Sequence, residues 1–309
     1  MTSKGNHPLD GLLTVMWHYV RDPAQTPLVA SPGLDPETFD SQLDLLAKHR
    51  TVVDWPAVAV ALDGGPPLPD DAALLTFDDG LADHARAVTP RLVARGWSGV
   101  FFTLARRPGE PLTVGHALHV LLARLGEDGL RDAVTVSLPP DEARHFAALQ
   151  ERERSAGADP IDVLKRPLQR DLADSVEPIL QRLVETHLGP SGEVADALHL
   201  TPVDVAAMRA NGQVIGGHGR RHLWFDHESP PRVADEIRAS ARFLLDEPRP
   251  WAFAYPYGAS DPTAGRQLAE AGFAAAFHAS PVASTGRFDL GRIDGEDPRF
   301  SELVRGTAA

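Results

Sequence analysis

Short apolar runs and helical stripes take turns along most of this chain. Leu13–Tyr19, Leu74–Phe77, Gly99–Leu104, Gln213–Gly217, Trp251–Tyr255 and Phe273–Phe277 are compact, mostly apolar segments that end on turn residues. Strands buried on both faces of a parallel sheet read this way. Helical segments lie between them. Asp35-Pro36 supplies an N-cap and a proline at the first helical position, and Phe39, Leu43 and Leu46 follow at helical spacing, so Pro36–His49 is predicted as a helix. Ala82–Arg95 is a second helix, stopped by Gly96. Others run from Thr201-Pro202 to Asn211-Gly212, over Pro231–Asp246, and from Asp261-Pro262 to Gly272. Residues 21–33 and 63–71 are rich in Pro or Gly and are expected as loops. Repeated strand–helix units predict an α/β fold, either a parallel (β/α) barrel or a doubly wound sheet.

The alternation occupies 10–107 and 199–309 and breaks off between them. Over 108–198 apolar residues recur at helical spacing, in Leu118, Leu121, Leu122 and Leu125 and again in Leu172, Val176, Ile179, Leu180 and Leu183. Charge is dense between these stripes, as in Glu151-Arg152-Glu153-Arg154. This is the pattern of a helical insertion that packs on the core or on a second copy, and it is placed to act as a lid over a site.

Composition narrows the chemistry. The 309 residues are 43% hydrophobic and carry a net charge of −13. So acidic a chain is a poor candidate for binding nucleic acid or an anionic membrane, both of which reward Lys/Arg clusters, and neither is expected as a partner. Leu12–Val20 is apolar but short, without a basic leader or a small-residue cleavage site, and no stretch reaches the roughly 18 apolar residues of a membrane helix. A cytoplasmic protein is expected. There is no cysteine, so any metal must be held by His, Asp or Glu.

Three strand ends carry residues of that kind. Thr76-Phe77-Asp78-Asp79-Gly80 ends a buried strand on two carboxylates, one of which could hold a metal while the other takes a proton. His218 and His222 stand four apart after another strand, a spacing that suits two ligands of one cation. Tyr255-Pro256-Tyr257-Gly258 makes a sharp turn after a third, with tyrosines able to stack on or hydrogen-bond a ligand. Taken alone, each has a plain structural reading as a turn or a solvated loop. An Asp with two His makes a facial set that leaves positions open for water and substrate.

In this order the three motifs resemble the polysaccharide deacetylase family, the NodB-homology domain of the carbohydrate esterases. The likeness covers about Leu13–Leu104 and Leu198–Ile293, with the helical insertion outside it. It implies a distorted (β/α) barrel that hydrolyses N-acetyl groups on sugars. It also implies that Asp79, His218 and His222 hold a divalent metal, most readily Zn²⁺ (Co²⁺, Ni²⁺, Fe²⁺ or Mn²⁺ also suit), and that Asp78 is the base for the attacking water. The amide near Tyr257 would stabilise the oxyanion, with Tyr257, Tyr255 and Trp17 against the sugar. Two departures stand out. The family's base-orienting Arg is replaced by Ala254, leaving Arg292 as the candidate substitute. The Tyr-Pro-Tyr-Gly turn is similar to that of a permuted subgroup, the poly-N-acetylglucosamine deacetylases, in which the acid His lies on an N-terminal strand. Trp17-His18-Tyr19-Val20 matches that pattern apart from its first residue, so His18 is the expected acid, with His278 as rival.

The function expected is metal-dependent removal of an N-acetyl or other N-acyl group from an intracellular small, nucleotide-linked or lipid-linked amino sugar. A deformylase and a non-catalytic carbohydrate-binding protein are the alternatives. A phosphotransfer enzyme would need a Gly-rich phosphate loop or a partner Lys after a strand, and neither is present. A homo-oligomer built through the insertion is a further expectation.

Overall fold

The computed structural model describes residues 9, 11–22, 33–281 and 286–307. The polar start of the chain and most of the expected loop over 21–33 lie outside the described residues. Eight strands form one sheet: β1 (Leu13–Trp17), β2 (Thr51–Val52), β3 (Ala72–Phe77), β4 (Val100–Thr103), β5 (Val214–Gly217), β6 (Trp251–Ala254), β7 (Phe273–Phe277) and β8 (Ile293–Asp294). Their order is β7-β6-β5-β4-β3-β1-β8, with β2 beside β3, and every pairing is parallel. A bridge from Leu290 to Phe277, just before β8, brings the two edges of the curled sheet together. The architecture is a distorted (β/α) barrel, not a doubly wound sheet.

Period-two alternation sorts the strand residues. Ala73, Leu75, Phe77, Phe101 and Phe253 face outward onto the helix α1 (Pro36–His49) and the helix over Pro230–Phe243, through Phe39, Leu43, Leu46, Val233 and Ile237. Leu74, Phe102, Ala252, Ala254 and Phe277 share a second cluster with α2 (Trp55–Leu62). The apolar runs of the sequence are continuous because both faces are covered. Asp35 caps α1 by accepting from the amides of Glu37 and Thr38. The pattern of the sequence did not single out β2, α2, β8 or the last helix, Phe300–Arg305: two-residue strands and short helices span too little chain to show a period.

The expected helix at 82–95 begins as a π-helical turn, His84–Val88, and continues as α3 (Thr89–Ala94). His84 is fully buried against the Phe77 and Phe101 rings, and its Nε2 bonds the His18 carbonyl at 3.0 Å. Burial pushes its pKa from 6.5 down to about 4. The unfolded chain therefore takes up a proton as pH falls through 6.5 while the folded chain does not until about 4. This stability is fully present above 6.5 and is lost on acidification. At about 1.4 kcal/mol per unit the loss reaches roughly 3 kcal/mol by pH 4. Denaturant titrations from pH 7 to 4 should show a shallower slope for His84→Gln than for the wild type, and equal slopes would count against this origin.

Residues 108–198 are helical: α4 (Val114–Ser137), α5 (Pro140–Ser155), α6 (Pro160–Arg166), α7 (Ala173–His187) and α8 (Ser191–Leu198). A non-helical Gly126 breaks α4 in two. These helices share one core, which also takes in Tyr19 and Leu81 from the rim of the barrel. Ion pairs tie them down at Arg106–Asp196 (2.7 Å) and Arg221–Glu177 (2.8 Å). The remaining helices are α9 (Pro202–Ala210), α10 (Pro230–Phe243), α11 (Pro262–Glu270) and α12 (Phe300–Arg305). Among the described residues no helix is long and apolar enough to cross a membrane.

Candidate active site

A parallel sheet brings all its carboxyl ends to one rim, where sites of such folds are built. The register does the placing. Trp17 pairs with Phe77, and Gly217 with Phe253, so His18 follows beside Asp78 and His218 beside Ala254. Among the described residues three non-glycine positions have left-handed backbone: Asp79 (φ 75°), His222 (φ 57°) and Tyr257 (φ 57°). All three lie on this rim. Such strain costs of order 1–3 kcal/mol and persists where the surroundings impose it, commonly at functional sites.

The turn at Asp79 sends the two neighbouring carboxylates to different partners. Asp78 is buried and meets Arg292 in a bidentate pair, Nη1 to Oδ1 and Nη2 to Oδ2, both 2.7 Å. The guanidinium is itself fixed: Nη1 also donates to Thr76 Oγ1 at 3.2 Å and Nε to the His278 carbonyl at 3.1 Å. Burial pushes the Asp78 carboxyl up, but the charges of Arg292, His218 and His18 prevail and hold it below its usual value. His18 Nε2 lies 3.9 Å from Asp78 Oδ2, on a half-exposed side chain. It opens on a cavity of about 310 Å³ walled by His18, Asp79 and Glu296 from the barrel and by His119, Leu122 and Lys165 from the helical segment.

Asp79 faces histidines. Its Oδ1 lies 3.3 Å from His218 Nε2 and 3.1 Å from His222 Nε2, and the three residues bring ligand atoms within 4.8 Å of one another. His218 Nδ1 donates to the Ala254 carbonyl at 2.8 Å, so Nε2 faces Asp79. Burial lowers the pKa of this ring, but Asp79 and Asp78 prevail and raise it, and in its neutral form it offers the Nε2 lone pair to a cation. Asp79 Oδ1 is buried with no hydrogen-bond partner. An orphaned carboxylate oxygen facing two imidazole nitrogens is a costly arrangement unless a cation completes it, and the donor set of two nitrogens and one oxygen suits a divalent transition metal. Burial raises the Asp79 carboxyl, yet His116 and His222 keep it well below the usual range. Burial depresses His222 to about 4, so its ring is neutral near pH 7, as a metal ligand requires.

Several supporting residues carried no signal in the sequence. Glu236 of α10 accepts from the amides of Arg220 (2.7 Å) and Arg221 (2.8 Å), and Ser240 Oγ accepts from Gly219 N (3.0 Å); together they hold the loop between the two histidines. His116 of α4 lies 3.4 Å from Asp79. Glu236 reads as one acid among many on an amphipathic helix, and His116 as a first-turn residue behind the N-cap Thr113.

The three aromatic residues are placed differently from one another. Tyr255 is a core residue: its ring packs on Phe225 and Phe253, and its hydroxyl donates to the Phe288 carbonyl at 3.0 Å. Trp17 is buried between Phe39 and Phe77, with Nε1 on Gln42 at 2.8 Å, and only borders the cavity. Alternation puts both in the cluster of Phe77 and Phe253 on the outer face of the sheet rather than on the rim. Tyr257 is on the rim, edge-on to His222 (4.3 Å) and stacked on Trp224 (4.4 Å). A Cβ on Gly115 of α4 would come within 2.8 Å of its hydroxyl, so a side chain there would have to displace the tyrosine. His278, the rival acid, points elsewhere: Nδ1 accepts from Ser280 N at 3.1 Å and Nε2 lies 3.5 Å from Asp289.

Residues 179–276 match the family model described as polysaccharide deacetylase. The match runs from within α7 to β7, taking in His218, His222 and the Tyr-Pro-Tyr-Gly turn. No curated protein matches the chain. Among solved structures, it is similar to the Streptococcus pyogenes deacetylase PplD in complex with acetate, at 16% identity over 96% of this chain and 98% of that one, with a TM-score of 0.59. It is similar to IcaB from Ammonifex degensii at 18% identity, 96% and 97% coverage and a TM-score of 0.59. A de-N-acetylase from Aggregatibacter actinomycetemcomitans follows at 16%, 92% and 95%, with a TM-score of 0.55. At these identities the structural likeness is one of fold. The family model thus covers the second and third motifs, with Asp78 and Asp79 outside the matched residues, and the architecture agrees with the fold that the resemblance implies.

Proposed function

We infer that this chain, by family match and by fold a hydrolase of the polysaccharide deacetylase type, removes an N-acyl group, in the first place acetyl, from an amino sugar. The observation that carries this reading is the division of labour between adjacent carboxylates: Asp78 is locked to a buried Arg292 while Asp79 faces two histidine nitrogens. Asp79, His218 and His222 would hold the cation, and Zn²⁺ fits this donor set best. Once bound, such an ion polarises an amide carbonyl and lowers the pKa of a water to about 7.

The other steps belong to the chain. Asp78, ionised at neutral pH and fixed in orientation by Arg292, takes the proton of the attacking water, a role worth roughly 10²–10⁴-fold. The carbon–nitrogen bond of the amide breaks, the acyl group leaves as carboxylate, and His18 supplies the proton that the departing amine needs. The left-handed turn at Tyr257 offers a backbone amide to the developing oxyanion. The cavity beside His18 is near the lower end of small-molecule sites, which span roughly 300–1,000 Å³, and it is walled on one side by the helical segment. A cavity of this size has room for one N-acylated sugar unit. The bidentate Arg292–Asp78 pair weighs against a decayed binding scaffold, since that reading rested on the missing motif arginine at Ala254.

The test is release of acetate or formate across a panel of N-acylated sugars, nucleotide-linked ones included, with metals returned to stripped protein. Acetate release restored by metal and lost in Asp78→Ala is the expected result. Undiminished turnover by fully demetallated protein would sink the reading.

A further inference from the structure

We propose that His116, carried by the helical segment and not by the barrel, is a positioning residue for the metal centre: its Nε2–H donates to Asp79 Oδ2 and thereby presents Oδ1 to the cation. The inference rests on the reading of Asp79, His218 and His222 as metal ligands.

The two oxygens of Asp79 have different surroundings. Oδ1 lies toward His218 and His222, whereas Oδ2 lies 3.4 Å from His116 Nε2. His116 is 2% exposed, so water does not compete for this contact. Among the described residues the groups that converge as possible ligands are Asp79, His218 and His222, without His116. It therefore stands behind the carboxylate instead of joining the set.

The other ring nitrogen has a partner that allows the proton to point at Asp79. His116 Nδ1 lies 2.9 Å from Thr113 Oγ1, and the same oxygen accepts from the His116 amide at 3.4 Å in capping α4. A hydroxyl that accepts from the amide can donate its own proton to Nδ1. With that arrangement Nδ1 is unprotonated and the ring hydrogen sits on Nε2, facing Asp79 Oδ2 at 3.4 Å, the tautomer that the carboxylate favours. The opposite tautomer would aim a bare lone pair at a buried carboxylate. The ring is also held in place edge-on to His199, centroids 4.7 Å apart. Hydrogen-bonding partners behind metal ligands commonly govern 10–100-fold in affinity. The consequence for this protein is that the helical segment is part of the site: its first turn sets how Asp79 meets the metal.

The experiment measures Zn²⁺ affinity by competition with a chromophoric chelator, together with the melting temperature of the stripped protein. His116→Leu should weaken affinity by about 10–100-fold. His116→Gln, whose amide nitrogen stands near the position of Nε2, should recover most of it, which a purely space-filling role does not predict. Thr113→Val should weaken binding and Thr113→Ser should not. If the leucine variant does not fold, the Val and Ser variants of Thr113 decide in its place. Wild-type affinity in folded His116→Leu, or equal affinity in the two Thr113 variants, overturns the inference alone. A wild-type protein that binds no cation overturns the metal reading, and the inference with it.

Discussion

Replacing Arg292 with alanine should destabilise the protein by about 3–5 kcal/mol and cost at least the base's share of catalysis, roughly 10²-fold or more. The stability loss follows from burial. The Arg292 side chain has no exposure and that of Asp78 only 3%, so each charge was taken out of water and the other is its nearest opposite charge. Removing the arginine leaves a buried carboxylate without its bidentate partner, with His18 Nε2 3.9 Å away. Coulomb attraction between the pair is strong there, but its net worth is small; the cost lies in breaking it. The double variant Asp78→Ala/Arg292→Ala should therefore fall short of the sum of the single losses, and chemical denaturation of all four proteins measures that coupling. Arg292→Lys should recover little, because an ammonium cannot make two parallel bonds to one carboxylate. Acid sensitivity offers a second readout. The folded Asp78 carboxyl lies below its usual 3.8, so its contribution is present above that pH and is lost as pH falls through the lower folded value. That component should vanish in Arg292→Ala. A single variant within 1 kcal/mol of wild type would show that the pair does not carry the load assigned to it here.

Demetallation should abolish turnover and lower the melting temperature, with both recovered on adding Zn²⁺. A ligand that binds only the folded state stabilises it by RT ln(1 + [L]/Kd), about 4 kcal/mol at a thousandfold excess over Kd. At roughly 2–4 °C per kcal/mol for a domain somewhat smaller than this one, the shift should be of the order of ten degrees. His218→Ala and Asp79→Ala should lose this response to Zn²⁺. Their own stabilities should move in different directions. Asp79→Ala removes a buried carboxylate with an orphaned oxygen and so relieves a strained apo site, whereas His218→Ala also breaks the bond to the Ala254 carbonyl. Calorimetric titration of stripped protein with Zn²⁺ separates the cases. Equal binding by wild type and His218→Ala would remove His218 from the ligand set.

Much of the frame is legible in the residue pattern. Apolar runs ending on Asp78-Asp79-Gly80, on Gly217-His218 and on Ala254-Tyr255 are strands whose carboxyl ends share a rim, because strands that alternate with helices pair in parallel and parallel strands end together. Asp35-Pro36, Thr201-Pro202 and Asp261-Pro262 mark helix starts through local capping that needs no tertiary partner. The aromatics were less readable. A tyrosine beside a turn can face rim or core, and only the alternation along β6 puts Tyr255 in the core while the left-handed turn keeps Tyr257 on the rim.

What the sequence determines by itself is therefore the set of short-range facts: strand, helix, cap, and the residue types that stand at each strand end. Arg292 could be singled out as a candidate partner for the base, but its pairing with Asp78 spans 214 residues and depends on β8 closing the ring beside β1. His116 could not be singled out at all, since its partner Asp79 lies on another element and its own neighbourhood looks like an ordinary helix start. Tertiary structure alone decides these contacts, because hydrogen-bond geometry is set within a few tenths of an ångström by how whole elements pack, and no periodicity along the chain encodes that distance.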